Sequence, residues 1–172
     1  MRAASTLVFG SREADPWSAN LLTRLEAAGV TIVRVAEDAS VLAAASRPDR
    51  FLGGFSRGAR FAVEAAEIAP PRGLILFGYP FHPKGRPTEL DARDRLAHIT
   101  VPTLVIQGAR DVHGNRQQIR DVGPNVTVTW LADGNHRFVP RLASPQSPVE
   151  LLNEAVRGAA AFMAQLSPQP DS

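Results

Sequence analysis

The sequence predicts an α/β fold built on a mostly parallel, doubly wound sheet, and three features of it predict this. Short apolar, β-branched runs alternate with stretches of helical spacing along the whole chain. The interior runs, such as Leu74-Ile75-Leu76-Phe77, are apolar without a break, as strands buried on both faces must be. Six such runs are separated by helical stretches, which makes a doubly wound parallel sheet the expected architecture.

The elements follow in order. Thr6 to Phe9 reads as a first strand ended by Gly10, and Trp17 to Ala28 as a helix with Leu21, Leu22 and Leu25 on one face. Gly29 supplies that helix's stop. Thr31 to Val35 is a second strand, and an alanine-rich helix over Ser40 to Ala45 ends before Pro48. Arg50 to Gly53 is a short third strand, followed by a helix over Arg57 to Ala69 that Pro70 and Pro71 stop. That helix is apolar almost all round, which predicts burial against the sheet. Leu74 to Phe77 is the fourth strand; three prolines and a glycine make Tyr79 to Pro87 a loop, and Leu90 to Ala97 a short helix. Thr103 to Gln107 and Val126 to Leu131 are the fifth and sixth strands, with a helix expected between them over Asn115 to Asp121. Pro148 to Leu166 closes the chain as a helix. No repeat or linker divides the sequence, so residues 1–166 are expected to form a single domain and 167–172, with Pro168 and Pro170, a flexible tail.

Composition narrows the function. At 172 residues the chain can bury roughly 70% of its unfolded surface without help from a metal or a disulfide. It has no cysteine, which removes thiolate zinc sites and cysteine nucleophiles. The pI of about 9.9 accompanies a net charge of only +2, and Lys84 is the one lysine among scattered arginines. No clustered basic stripe with interleaved aromatics exists, so no nucleic-acid partner is expected. No apolar run approaches the length of about 20 residues that spans a bilayer, nor does the start resemble a signal peptide. The expectation is a cytoplasmic protein with no membrane partner, no cofactor and no metal.

In a doubly wound sheet, ligands sit at the carboxyl ends of the strands. There, after the third strand and before a helix, lies Gly54-Phe55-Ser56-Arg57-Gly58, a match to G-x-S-x-G. The pattern places a serine at the apex of a sharp turn, hydroxyl outward, with small residues two positions either side. A serine that merely caps the helix is the alternative. A phosphate-binding loop is not matched: neither G-x-x-x-x-G-K-[ST] nor G-x-G-x-x-G is present.

A serine hydroxyl needs a positioned base. Of the four histidines, His136 follows the sixth strand in Asp133-Gly134-Asn135-His136-Arg137-Phe138. Asp111, after the fifth strand, supplies the acid in the chain order Ser, Asp, His. Its task is to hold the imidazole tautomer and stabilise the imidazolium. Asp133 and His113 are the rival acid and base, and Asp111 could instead cap a helix or pair with Arg110. Two backbone amides are needed for an oxyanion hole: Arg57, next to the nucleophile, and Ser11, in the loop after the first strand. Tyr79, Phe81 and His82, with Arg57, are candidates to line the substrate site; for Tyr79 and Phe81, packing in the core is an equal alternative.

These residues resemble a branch of the α/β-hydrolases. Gly78 to Pro87, Ile99 to Leu104, Gln107 to Asp111 and Asp133 to Phe138 carry the likeness, which covers about Phe51 to Leu142. The branch is related to dienelactone hydrolases and to the testis-expressed-protein-thirty and NSL-complex-subunit-three domains. The resemblance implies a minimal α/β-hydrolase fold of about six strands in a doubly wound sheet flanked by helices. It also implies the roles of Ser56, Asp111 and His136. It implies no substrate. Where the family usually carries a His-Gly or multi-glycine loop, this chain has Phe9-Gly10-Ser11-Arg12-Glu13. Its first strand corresponds to the family's third. Dienelactone hydrolases proper use a cysteine nucleophile, so their activity is not carried over.

The expected function is hydrolysis of a small ester or thioester through an acyl-enzyme, by a monomer or small homo-oligomer acting on a small-molecule acyl substrate. The competing expectation is a non-catalytic α/β-hydrolase-fold binding or scaffold module. A cofactor-free haloperoxidase or C–C bond hydrolase using the same three side chains is a third.

Overall fold

The computed structural model describes residues 5–12 and 15–167. Six strands form one parallel sheet: β1 (Thr6–Ser11), β2 (Thr31–Ala36), β3 (Arg50–Phe55), β4 (Gly73–Phe77), β5 (Thr103–Gly108) and β6 (Val126–Leu131). Their order is β2-β1-β3-β4-β5-β6. The chain runs outward from β1 to β2, then returns past β1 and builds in the opposite direction. The reversal lies between β1 and β3, and a doubly wound sheet opens its ligand crevice at such a point.

Helices α1 (Pro16–Ala27) and α5 (Pro148–Leu166) pack on one face, where Leu21, Leu22, Leu25, Leu151 and Met163 meet Leu7, Phe9, Ile75 and Ile106. On the other face are α2 (Ala39–Ala45), α3 (Arg57–Ile68) and α4 (Asp91–Ala97), with Leu42, Ala62, Val63 and Leu96 against Val8, Leu52, Leu74 and Val105. Strands β4 and β5 are buried throughout, as the unbroken apolar run of β4 requires, and β5 takes Thr103 and Gln107 inside with it. The helix ends are set locally. The Asp15 carboxylate accepts from Ser18 N ahead of Pro16 at α1, and Ser147 and Glu150 form a capping box at α5.

Two expectations are corrected. Gly10 does not end β1, which runs two residues further and pairs Gly10 with Val35 and Ser11 with Ala36. A glycine in mid-strand reads as a stop from sequence. Here it keeps the strand clear of Leu42, whose Cδ1 would lie 3.0 Å from an added Cβ. The helix expected over Asn115 to Asp121 is also absent. Asn115 Oδ1 accepts from the amides of Gln117 and Gln118, and Gln118 Oε1 accepts from Asn115 N, closing a single side-chain-locked turn. Ser167, expected to start the tail, caps α5 through its amide and hydroxyl on the Met163 carbonyl; 168–172 lie outside the described residues.

Candidate active site

Gly54, Ser56 and Gly58 form the turn from β3 into α3. Ser56 has φ 54° and ψ −115°, a left-handed conformation that a non-glycine residue adopts only under constraint. The constraint is visible. Its amide donates to the Phe77 carbonyl at 2.9 Å, tying the turn to β4. A Cβ at Gly54 would collide with the backbone of Gly58 and Ala59, and one at Gly58 would lie 2.8 Å from the Gly10 carbonyl oxygen. Strand and helix can therefore meet this closely only with glycine at both positions. Ser56 occupies the cap position of α3, but its side chain makes no capping hydrogen bond. The hydroxyl is directed elsewhere.

Its partner is His136, whose Nε2 lies 3.0 Å from Ser56 Oγ. His136 Nδ1 donates to Asp111 Oδ2 at 2.8 Å. Asp111 is wholly buried, and His136 keeps 22% of its side chain exposed. The three side chains come from the turns after β3, β5 and β6, so one rim of the sheet brings them together. The Asp111 carboxylate accepts two further hydrogen bonds, from His113 N to Oδ1 at 2.8 Å and from Gln107 Nε2 to Oδ2 at 2.9 Å. No helix follows Asp111, and Arg110 pairs with Asp133 instead. Gly108 allows the close approach of this turn to the next, because a Cβ there would strike the carbonyls of Gly134 and Asn135.

The rivals are placed otherwise. Asp133 is engaged by Arg141 and Arg110, bracing the loop that carries His136. The backbone hydrogen bond from Arg141, ahead of its charge, holds the Asp133 carboxyl below the ordinary value of 3.8. His113 lies beside the His136 ring at 4.8 Å between centroids, its Nδ1 3.2 Å from the His82 carbonyl oxygen.

A cleft of about 470 Å³ opens at Ser56, lined by Ser11, Arg12, Glu37, Phe55, Arg57 and His136 among others. Ser11 is the last residue of β1 rather than part of a loop, and it stands at the cleft wall. The Arg57 amide belongs to the first residue of α3, where helix geometry leaves amides without an internal acceptor. A second cleft, of about 330 Å³, touches Ser56 from the other side and is lined by His82 and His113.

Tyr79 and Phe81 line neither cleft. Both are fully buried and packed edge to face, and Tyr79 donates its hydroxyl proton to the Ala92 carbonyl at 2.7 Å. Burial, ahead of any charge, pushes the Tyr79 phenol well up. These two are core residues: of the two readings open for them, packing holds and substrate contact is corrected. The proline-rich segment that carries them turns both rings into the core. His82, 3% exposed, reaches the second cleft with its ring nitrogens 2.8 and 3.3 Å from Pro83 O and Gln118 Oε1.

Sequence reasoning missed two residues. Gln107, fully buried, donates from Nε2 to Asp111, to the Tyr79 carbonyl at 3.1 Å and to the Gly114 carbonyl at 3.3 Å. The available signal was an amide closing an otherwise apolar strand. Glu37, just past β2, has a side chain 10% exposed; its Oε2 accepts from Arg57 Nη2 at 2.6 Å and from Arg57 Nε and Arg12 Nε at 3.1 Å. Nothing local in the sequence marked it. Among the described residues, no group of three or more His, Asp or Glu side chains is placed to hold a metal ion, and no helix is long and apolar enough to cross a membrane.

The model of the alpha/beta hydrolase domain family matches residues 14–164, and the chain belongs to that family. Among solved structures it is similar to an alpha-beta serine hydrolase homologue from Coxiella burnetii, with TM-score 0.67 and 18% identity over 92% of this chain and 86% of that one. It is also similar to an α/β serine hydrolase without a lid from Xanthomonas campestris, with TM-score 0.62 and 22% identity over 99% and 86% of the two chains. The esterase domain of a Rhodothermus marinus protein aligns with TM-score 0.66 and 14% identity, covering 96% of this chain and 88% of that chain. At these identities the likeness is one of fold. No curated protein matches the sequence.

Proposed function

We propose that the chain is a serine hydrolase that cleaves small carboxylic esters or thioesters through an acyl-enzyme. The observation that carries this reading is the run of two contacts, Ser56 Oγ to His136 Nε2 at 3.0 Å and His136 Nδ1 to Asp111 Oδ2 at 2.8 Å. In this reading Ser56 Oγ attacks the carbonyl carbon while His136 Nε2 takes its proton. The Asp111 carboxylate stabilises the imidazolium, and Gln107 and the His113 amide hold that carboxylate in place. The oxyanion is received by the amides of Arg57 and Ser11. The Ser56 amide is already occupied by the Phe77 carbonyl, which leaves the oxyanion to its neighbour. Collapse expels the alcohol or thiol, which leaves with the proton from His136. A water, activated by the same imidazole, then releases the acid and regenerates Ser56.

The test is labelling by a fluorophosphonate probe together with hydrolysis of 4-nitrophenyl acetate. Labelling at Ser56 is expected, and Ser56→Ala is expected to lower turnover by about 10⁴–10⁶. An unlabelled wild-type protein would favour a binding module on the same fold. Undiminished turnover in Ser56→Ala would show that the nucleophile lies elsewhere.

A further inference from the structure

The cleft beside Ser56 carries more positive charge than hydrolysis of a neutral ester requires. Arg12 follows β1 and Arg57 follows the nucleophile, so the two arginines belong to the two turns that flank the crevice. Both reach the same oxygen of Glu37. The Glu37 side chain is 10% exposed, while the side chains of Arg12 and Arg57 are 64% and 54% exposed. Arg57 meets Glu37 side-on through Nε and Nη2, and Arg12 meets it through Nε alone. Among the described residues, Nη1 of Arg57 and both Nη of Arg12 have no hydrogen-bond partner. A buried anion thus fixes two planar donors at the cleft wall, Arg57 also lying over the Phe61 ring at 5.7 Å, with N–H groups of both left for a ligand in the cleft.

Charge balance points the same way. Among the described residues, two guanidinium groups on the one carboxylate of Glu37 leave one positive charge uncompensated. The crevice continues past Arg12 to Arg34, which has no ion pair among the described residues. On the opposite wall Arg137 stands over the Phe55 ring at 5.7 Å and is 3.8 Å from Asp15. A planar fork of N–H donors matches a carboxylate, and one carboxylate supplies the single negative charge that the Arg12–Glu37–Arg57 group lacks.

We propose that the acyl group carries a terminal carboxylate, so that the substrate is a half-ester or half-thioester of a short dicarboxylic acid, with its free carboxylate held by Arg12 and Arg57. This rests on the serine-hydrolase reading for the chemistry but not for the binding. Glu37 acts as a positioning residue that sets the two arginines at a fixed separation from Ser56.

The experiment has a kinetic arm and a binding arm. In the first, wild-type protein hydrolyses mono-4-nitrophenyl glutarate and 4-nitrophenyl pentanoate, which differ only in a terminal carboxylate against a methyl group. A kcat/KM about tenfold or more in favour of the glutarate is expected at low salt. The preference should fall toward unity at about 0.5 M salt, and also in Arg12→Gln. Equal or poorer use of the glutarate, with pentanoate turnover that depends on Ser56, would overturn the carboxylate site and leave the hydrolase reading intact. In the second arm, Ser56→Ala is titrated calorimetrically with monomethyl glutarate and with dimethyl glutarate. Binding of the half-ester alone, weakened when Arg12→Gln is added, supports the proposal. Equal binding of the two, or none of either, overturns it whatever the turnover shows.

Discussion

Gln107 and His136 donate to the same oxygen of Asp111, at 2.9 and 2.8 Å. The glutamine's orientation is dictated, because Nε2 faces three acceptors and the reverse placement would set oxygen against oxygen. Its own Oε1 is buried without a partner, a cost of about 1–3 kcal/mol that the two N–H groups, shared among three acceptors, offset. Substituting Gln107→Leu should lower kcat by about 10–100-fold with little change in KM, since the carboxylate loses a hold rather than the substrate a contact. Folding stability should fall by about 1–3 kcal/mol. Paired kinetics and urea denaturation check both, and an unchanged kcat would remove Gln107 from the machinery.

The backbone at Ser56 gives a second expectation. Its φ of 54° stores strain that glycine would not feel. Ser56→Gly should therefore be more stable than Ser56→Ala by about 1 kcal/mol, with both equally inactive. Urea midpoints of the two variants measure this. Equal midpoints would mean that the turn relaxes around alanine.

Asp133 gives an expectation in pH. Its folded value lies below the ordinary 3.8, chiefly through the hydrogen bond from the Arg141 amide. A depressed carboxyl stabilises the fold when ionised, so its contribution is complete above the unfolded value and is lost as pH falls through the folded one. Asp133→Asn should accordingly have a lower Tm than wild type at neutral pH, and the gap should narrow as pH falls below about 4. Asparagine tolerates the left-handed φ of 58° found here, so the comparison isolates the charge. A Tm gap independent of pH would assign the effect to packing.

The strands and most helices were legible because they are coded by contiguous pattern. The bounds of β6 and α5 are those the sequence predicts, since turn residues and prolines bracket both. The meeting of residues 56, 111 and 136 was legible for a topological reason: three turns at one end of a parallel sheet must lie side by side. The misses are contextual. Gly10 inside β1 looked like a terminator because its need is set by Leu42, more than thirty residues away. The Asn115 turn is closed by side-chain hydrogen bonds between Asn115 and Gln118, which residue spacing alone does not reveal. For Tyr79 and Phe81 the sequence leaves lining and packing equally open, because only the tertiary fold turns their loop inward. Glu37 gains its meaning from two arginines, one 25 residues before it and the other 20 after it.

Trp17 stacks against Phe55 at 4.1 Å between ring centroids, meets Phe138 edge-on at 5.3 Å, and donates Nε1–H to the Arg137 carbonyl at 3.0 Å. One of only two indoles in the chain is thus wired to the segment that carries the imidazole. The protein therefore contains its own optical gauge. Emission from that ring reports whether the segment behind His136 is seated, with no dye attached and no substrate turned over.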